Sequence, residues 1–100
     1  MEKKDLLKDT IKHIDIKSYD STQLIDAMRD MSFTSRDTAR ATDILMMMVG
    51  EKECTNILTI AGSTSAAGCM QVYVDMVRNK MVDVVVSTGA SIIDMDLFEA

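Results

Sequence analysis

The spacing of apolar residues switches repeatedly along the chain, and each switch predicts a change of element. An amphipathic opening segment runs to about His13, followed by a turn-rich stretch from Ile14 to Ser21. Asp20 with Gln23 three places on resembles a capping box, and a short helix is expected over Thr22 to Met31, with Leu24, Ile25, Ala27 and Met28 on one side. Ser32-Phe33 breaks that pattern. Ser35 can cap a longer helix through Thr38, Ala41, Ile44, Leu45 and Met48 to Gly50. Its end, Ile44 to Val49 (ILMMMV), is apolar all round, which fits burial between layers or a subunit interface; the core reading is preferred.

Beyond the polar turn Glu51 to Thr55 the period changes. Ile57, Leu58, Thr59 and Ile60 form a short, β-branched apolar run, expected as a buried strand ended by Gly62. Helical spacing returns from Thr64 to about Asn79: Ala66, Met70, Tyr73, Val74 and Val77 share a face, with Gln71, Asp75 and Arg78 away from it. Met81 to Thr88 is a second buried-strand candidate because Val84, Val85 and Val86 disfavour a helix, and Asp83 is expected to bond locally at its start. A further helical pattern begins at Ile92 and runs to Phe98-Glu99-Ala100 without a cap, which reads as truncation. Strand and helix in alternation with short connections predict an α/β fold: a Rossmann-like parallel sheet with helical crossovers, here incomplete and preceded by N-terminal helices. The expected division is a helical segment over 1–52 and a first strand–helix–strand–helix unit over 53–100.

Composition narrows the function classes. A chain of 100 residues is one small domain or a piece of a larger one, and 47% hydrophobic content excludes a disordered acidic tail. Ten methionines against four aromatic rings predict a core of flexible side chains. The net charge of -5, with no basic run longer than Lys3-Lys4, argues against nucleic acid and suits cationic ligands. Cys54 and Cys69 form neither a C-x-x-C pair nor a disulfide framework, which points to free thiols and the cytosol. The longest nearly apolar run, Ile44 to Gly50, is far too short for a membrane span, and the opening MEKKDLLKDTIKH is charged throughout and lacks the apolar core of a signal peptide.

In an open parallel sheet ligands gather at the carboxyl ends of the strands. Two loops fall there: Ala61 to Gly68 (AGSTSAAG) and Ser87 to Ser91 (STGAS), both rich in small and hydroxyl residues that admit a phosphate. Either loop alone is explained better by the steric and capping needs of any strand-to-helix turn; the pair on successive strands leaves a phosphate-bearing ligand evenly balanced with that reading. Asp94 and Asp96 lie just beyond, where a carboxylate could hold a ribose hydroxyl or an amine, although on spacing alone they read as ordinary first-turn acids. His13 has no partner at a metal-ligand spacing and is expected at the surface. Cys69 stands in a helix first turn that could activate it, but a small buried thiol is the commoner outcome. No nucleophile–base constellation can be assembled, so no catalytic residue is assigned.

The stretch Asn79 to Ala90 (NKMVDVVVSTGA), with DLFEA over Asp96 to Ala100, resembles a strand and loop of deoxyhypusine synthases, in a form nearer the archaeal and bacterial members. Phe33 to Ala41 (FTSRDTARA) is similar to an upstream segment of that family, and Ile14-Asp15-Ile16 sits where the family has a Gly–apolar–Asp–Phe motif. The resemblance covers nearly the whole chain. It implies a homotetrameric cytoplasmic transferase that uses NAD to oxidise spermidine and passes the aminobutyl group to a lysine of the translation initiation factor 5A precursor, or in bacterial relatives to a diamine, giving homospermidine. By position, Gly62, Ser63 and Ala66 fall in the family's first NAD-contacting loop, and Thr88, Gly89 and Ala90 in its second. Asp94 or Asp96 takes the place of an acid that contacts cofactor and polyamine. The family's lysine nucleophile and histidine base belong to a carboxyl-terminal half that this sequence does not include. The alternative is a shortened, catalytically incompetent paralogue acting as an interaction subunit through its Met-rich helix.

Overall fold

A computed structural model describes residues 2–6 and 11–91. Helix α1 (Lys3–Leu6) is one turn, and a 3-10 turn (Ile16–Ser18) precedes α2 (Thr22–Met28), α3 (Phe33–Gly50), strand β1 (Ile57–Ile60), a π turn (Ser65–Cys69), α4 (Met70–Arg78) and strand β2 (Val84–Ser87).

The α2 start differs from the expected capping box. Ser21 is the N-cap without a side-chain bond. Asp20 instead closes a tight turn, its Oδ1 accepting from both the Thr22 N–H (2.9 Å) and the Thr22 hydroxyl (2.6 Å). The nearer donors on Thr22 satisfy the carboxylate locally. The helix stops at Met28 rather than Met31 because the following amides turn back over three residues, Arg29 to Asp26 and Asp30 to Ala27. Ser35, expected as a cap, lies inside the first turn of α3; Ser32 is its N-cap and Phe33 takes a left-handed φ of 55° as the chain reverses from α2. The Arg29 guanidinium spans the reversal, bonding Asp26 on α2 and Asp43 on α3.

The apolar end of α3 corrects a second expectation. Met46 and Met47 are 64% and 65% exposed, and Ile44 and Leu45 are exposed as well. Ala39 is the only buried apolar residue among those described. The chain exposes 8087 Å², roughly 2,400 Å² above the ~5,700 Å² expected of a compact monomer of its mass.

β1 and β2 pair in parallel, with Ile57 opposite Val84 and Ile60 opposite Ser87. The strand positions agree with the sequence, but burial does not: β1 alternates between exposed and half-covered, and Val84, Val85 and Val86 are all exposed. One layer, α4, covers one face of the pair, so Ile57, Val84 and Val86 on the other face meet solvent. Mixed helices with a small parallel sheet are the architecture of an incomplete α/β fold.

Asn56, buried just before β1, ties the amino ends of the pair together. Its N–H donates to Asp83 Oδ2 (2.8 Å), its carbonyl accepts from the Asp83 and Val84 amides, and its side-chain amide donates to the Met48 and Met81 carbonyls. Asp83 therefore bonds across the sheet, not locally as expected.

The expected single helix from Thr64 is a π turn kinked at Gly68 (φ 97°) and then α4. A strap formed by residues 12–17 causes the kink to persist. The Ile14 N–H donates to the Gly68 carbonyl (2.9 Å), and a Cβ on Gly68 would stand 2.9 Å from the Lys12 carbonyl oxygen. His13, expected at the surface, is half-buried, and its Nδ1 accepts the Met70 N–H at the start of α4. Asp75, placed by periodicity on the polar face, is 3% exposed beneath the strap, held by Lys17 (3.2 Å) and Gln71 (3.1 Å). A helix in contact with both a sheet and a strap has two covered faces, and the second face was polar. At its other end α4 closes in a Schellman motif, Met81 N–H to Met76 carbonyl and Lys80 N–H to Val77 carbonyl, with Lys80 in the left-handed position (φ 58°).

Candidate functional site

Both small-residue loops emerge at the carboxyl edge of the strand pair, and the structure brings them together. The Thr88 N–H continues the ladder to the Ile60 carbonyl (3.1 Å). One turn later the Ser91 hydroxyl donates to the Gly62 carbonyl (2.6 Å). Gly62, Ser63, Thr88 and Gly89 are exposed along this edge, while Ala66 and Ala90 sit half-buried behind them. Gly62 holds a φ of 73°, open to glycine at no steric cost, and no atom lies within 4 Å of the place its Cβ would take. Asp94 and Asp96 lie outside the described residues.

The turn after the first loop is fixed from within. Ser63 and Thr64 carbonyls accept from Ala67 and Cys69 N–H groups, and the Tyr73 hydroxyl donates to Thr64 Oγ1. The Ser65 hydroxyl is fully buried and has no hydrogen-bond partner among the described residues. An unmet buried hydroxyl is uncommon and tends to mark a place where a further group completes the structure. Sequence spacing did not single out Ser65 or Ser91 for a role. The hydroxyl content of both loops was visible, whereas the side chain that crosses between them depends on the strands being adjacent.

Beside the loops, a cavity of about 370 Å³ opens between α4 and the sheet, lined chiefly by Ile60, Met70, Tyr73, Val74, Val77 and Val85, with Ser91 at its wall. The expected apolar face of α4 is thus correct, but only partly filled. The edge offers small residues, backbone amides and hydroxyls suited to a phosphate-bearing ligand, next to an apolar recess. Cys54 and Cys69 are free and half-buried. Among the described residues no three His, Cys, Asp or Glu side chains gather as a metal site, and no helix is long and apolar enough to cross a membrane.

A family model described as deoxyhypusine synthase matches residues 23–100. A deoxyhypusine synthase-like protein of Caulobacter vibrioides is 60% identical over 99 residues, which take in 99% of this chain and 27% of that protein. A deoxyhypusine synthase-like protein of Coxiella burnetii is 57% identical over 98 residues, 98% of this chain and 28% of that protein. A probable deoxyhypusine synthase 2 of Methanosarcina acetivorans is 32% identical over 79 residues, 79% of this chain and 23% of that protein. No solved structure matches. The chain spans about a quarter of the length of the curated relatives it matches. Its parallel strand pair, its two joined loops and these likenesses lead to one assignment: the chain belongs to the deoxyhypusine synthase family.

Proposed function

We propose that this chain supplies the first part of a Rossmann-like NAD-binding domain in a deoxyhypusine-synthase-type transferase, with residues 1–52 as its helical preface and 53–100 as the first strand–helix–strand–helix unit. The reading rests on one observation above the others: two loops of small residues, joined by the Ser91–Gly62 hydrogen bond at the carboxyl edge of parallel strands. The residues suit a dinucleotide. Gly62 leaves open space where a side chain would stand, and the loop edge is exposed. Gly62, Ser63 and Ala66 would hold one part of NAD and Thr88, Gly89 and Ala90 another, with Asp94 or Asp96 binding a polyamine ammonium. NAD bound there would take up a hydride from spermidine and later return it, so that the aminobutyl group can pass to a lysine of the translation initiation factor 5A precursor or to a diamine acceptor. This chain's share is to bind and orient the cofactor; the lysine nucleophile expected of the family has no match among its lysines. A cytoplasmic homotetramer completes the proposal.

The exposure of Met46 and Met47 favours a second reading, an interaction subunit that docks on a partner through α3. Titration with NAD, followed by amide chemical shifts, separates the two. Shifts confined to residues 61–66 and 88–90 are expected for cofactor binding. Unchanged loop amides up to millimolar NAD refute it.

A further inference from the structure

We infer that Ser91 is a positioning residue that clamps the two loops into one cofactor-facing surface; this deepens the reading of the loops as an NAD site. Ser91 is 2% exposed, and its hydroxyl reaches back 29 residues to the Gly62 carbonyl. Its own amide donates to the Thr88 carbonyl, so the hydroxyl is anchored to the second loop before it grips the first. Gly62 is a glycine at a positive φ with open space where its Cβ would stand, so nothing of its own side limits how its carbonyl turns. A trans peptide is planar, with its C=O and N–H pointing in opposite directions. Holding the Gly62 carbonyl therefore also sets the direction of the Ser63 N–H, the amide on the other side of that plane. The Thr88–Ile60 bond prolongs the strand ladder up to the edge, and the Ser91–Gly62 bond then joins the loops themselves, which nothing in the local sequence would align. Without the clamp, the first loop retains its contacts to α4 but loses its orientation relative to Thr88 and Gly89.

The test compares Ser91→Ala and Ser91→Thr with the parent protein. The threonine variant keeps the donor, and its added methyl has room in the apolar cavity that Ser91 borders. Without nucleotide, hydrogen exchange at the Thr88 amide, which is bonded to the Ile60 carbonyl beside the clamp, is expected to quicken in Ser91→Ala and to return to the parent rate in Ser91→Thr. With nucleotide, NAD affinity should fall about five- to tenfold in Ser91→Ala, the size of one lost neutral hydrogen bond, and recover in Ser91→Thr. Adenosine, which carries no phosphate, should bind all three alike. Unchanged Thr88 exchange in Ser91→Ala overturns the clamp, as does a threonine variant no better than alanine in both measurements. Absence of NAD binding by the parent would sink the cofactor reading while the exchange rates still decide the clamp.

Discussion

Replacing Gly68 by alanine perturbs two things at once, and their sizes can be separated. Gly68 has a φ of 97°, a region that costs an L residue about 1–2 kcal/mol. The new Cβ would also stand 2.9 Å from the Lys12 carbonyl oxygen, with the Lys12 carbonyl carbon at 3.9 Å and His13 Cα at 4.0 Å. Backbone cannot swing aside as a side-chain tip can, so the strap must lift. Lifting it loosens the Ile14–Gly68 and Met70–His13 hydrogen bonds, at about 1 kcal/mol each. The stiffer unfolded chain gives back about 0.4–1 kcal/mol. The expected net loss is about 2–3.5 kcal/mol, read from urea unfolding monitored by circular dichroism. Gly50→Ala is the control: it ends α3 with no atom near its Cβ position and should be neutral or slightly stabilising. Gly68→Asn tests the division, since asparagine tolerates left-handed backbone but still carries a Cβ. If Gly68→Ala lost less than about 0.5 kcal/mol, within the range of ordinary surface changes, the account of the strap would be wrong.

Three further outcomes follow from the same structure. Asn56→Ala removes the donor of the Met81 carbonyl and one of the two donors of the Met48 carbonyl, which keeps the Glu51 N–H, and should cost about 2 kcal/mol, measurable in the same urea titration. Lys80→Gly relieves the left-handed lysine after α4 and should raise stability by about 0.5–1 kcal/mol; a drop would mean that the lysine side chain contributes more than its backbone costs. The Asp20 carboxyl is held below its usual value of 3.8 by the Thr22 hydroxyl first and the Thr22 N–H second. A depressed acid contributes stability that is present above its unfolded pKa and lost as pH falls through the folded one, so Thr22→Val should move the Asp20 titration midpoint, followed by NMR, upward toward 3.8.

The legible parts of the fold were those governed by short-range periodicity. Both strands, the extent of α3 as far as Gly50 and the apolar face of α4 followed from residue spacing alone. The two loops were visible as small-residue stretches, and their adjacency followed from parallel pairing. What escaped the sequence was set at long range. Asp75 looked like a solvated helix acid because nothing local announces that Lys17, far upstream, lies across it. His13 looked unpartnered for the same reason. The strands were expected to be buried because continuous β-branched runs belong in covered sheets; their exposure reflects the single covering helix.

The Asn56 node also bears on the order in which the chain acquires its structure. It joins groups 27 residues apart, and closing such a loop costs roughly 3 kcal/mol in chain entropy before any bond forms. Helix α4, within that loop, can form on the submicrosecond scale of isolated helices. The node gathers three bonds at the Asn56 main chain and three at its side chain, so its return arrives together rather than one contact at a time. Register between the strands is thereby chosen in a single event: a one-residue slip would forfeit the bonds from Asn56 to Met81, Asp83 and Val84 together and turn either Leu58 or Val85 away from α4. A φ-value for Asn56→Ala well above that for changes in the α2–α3 pair is the kinetic mark of that event.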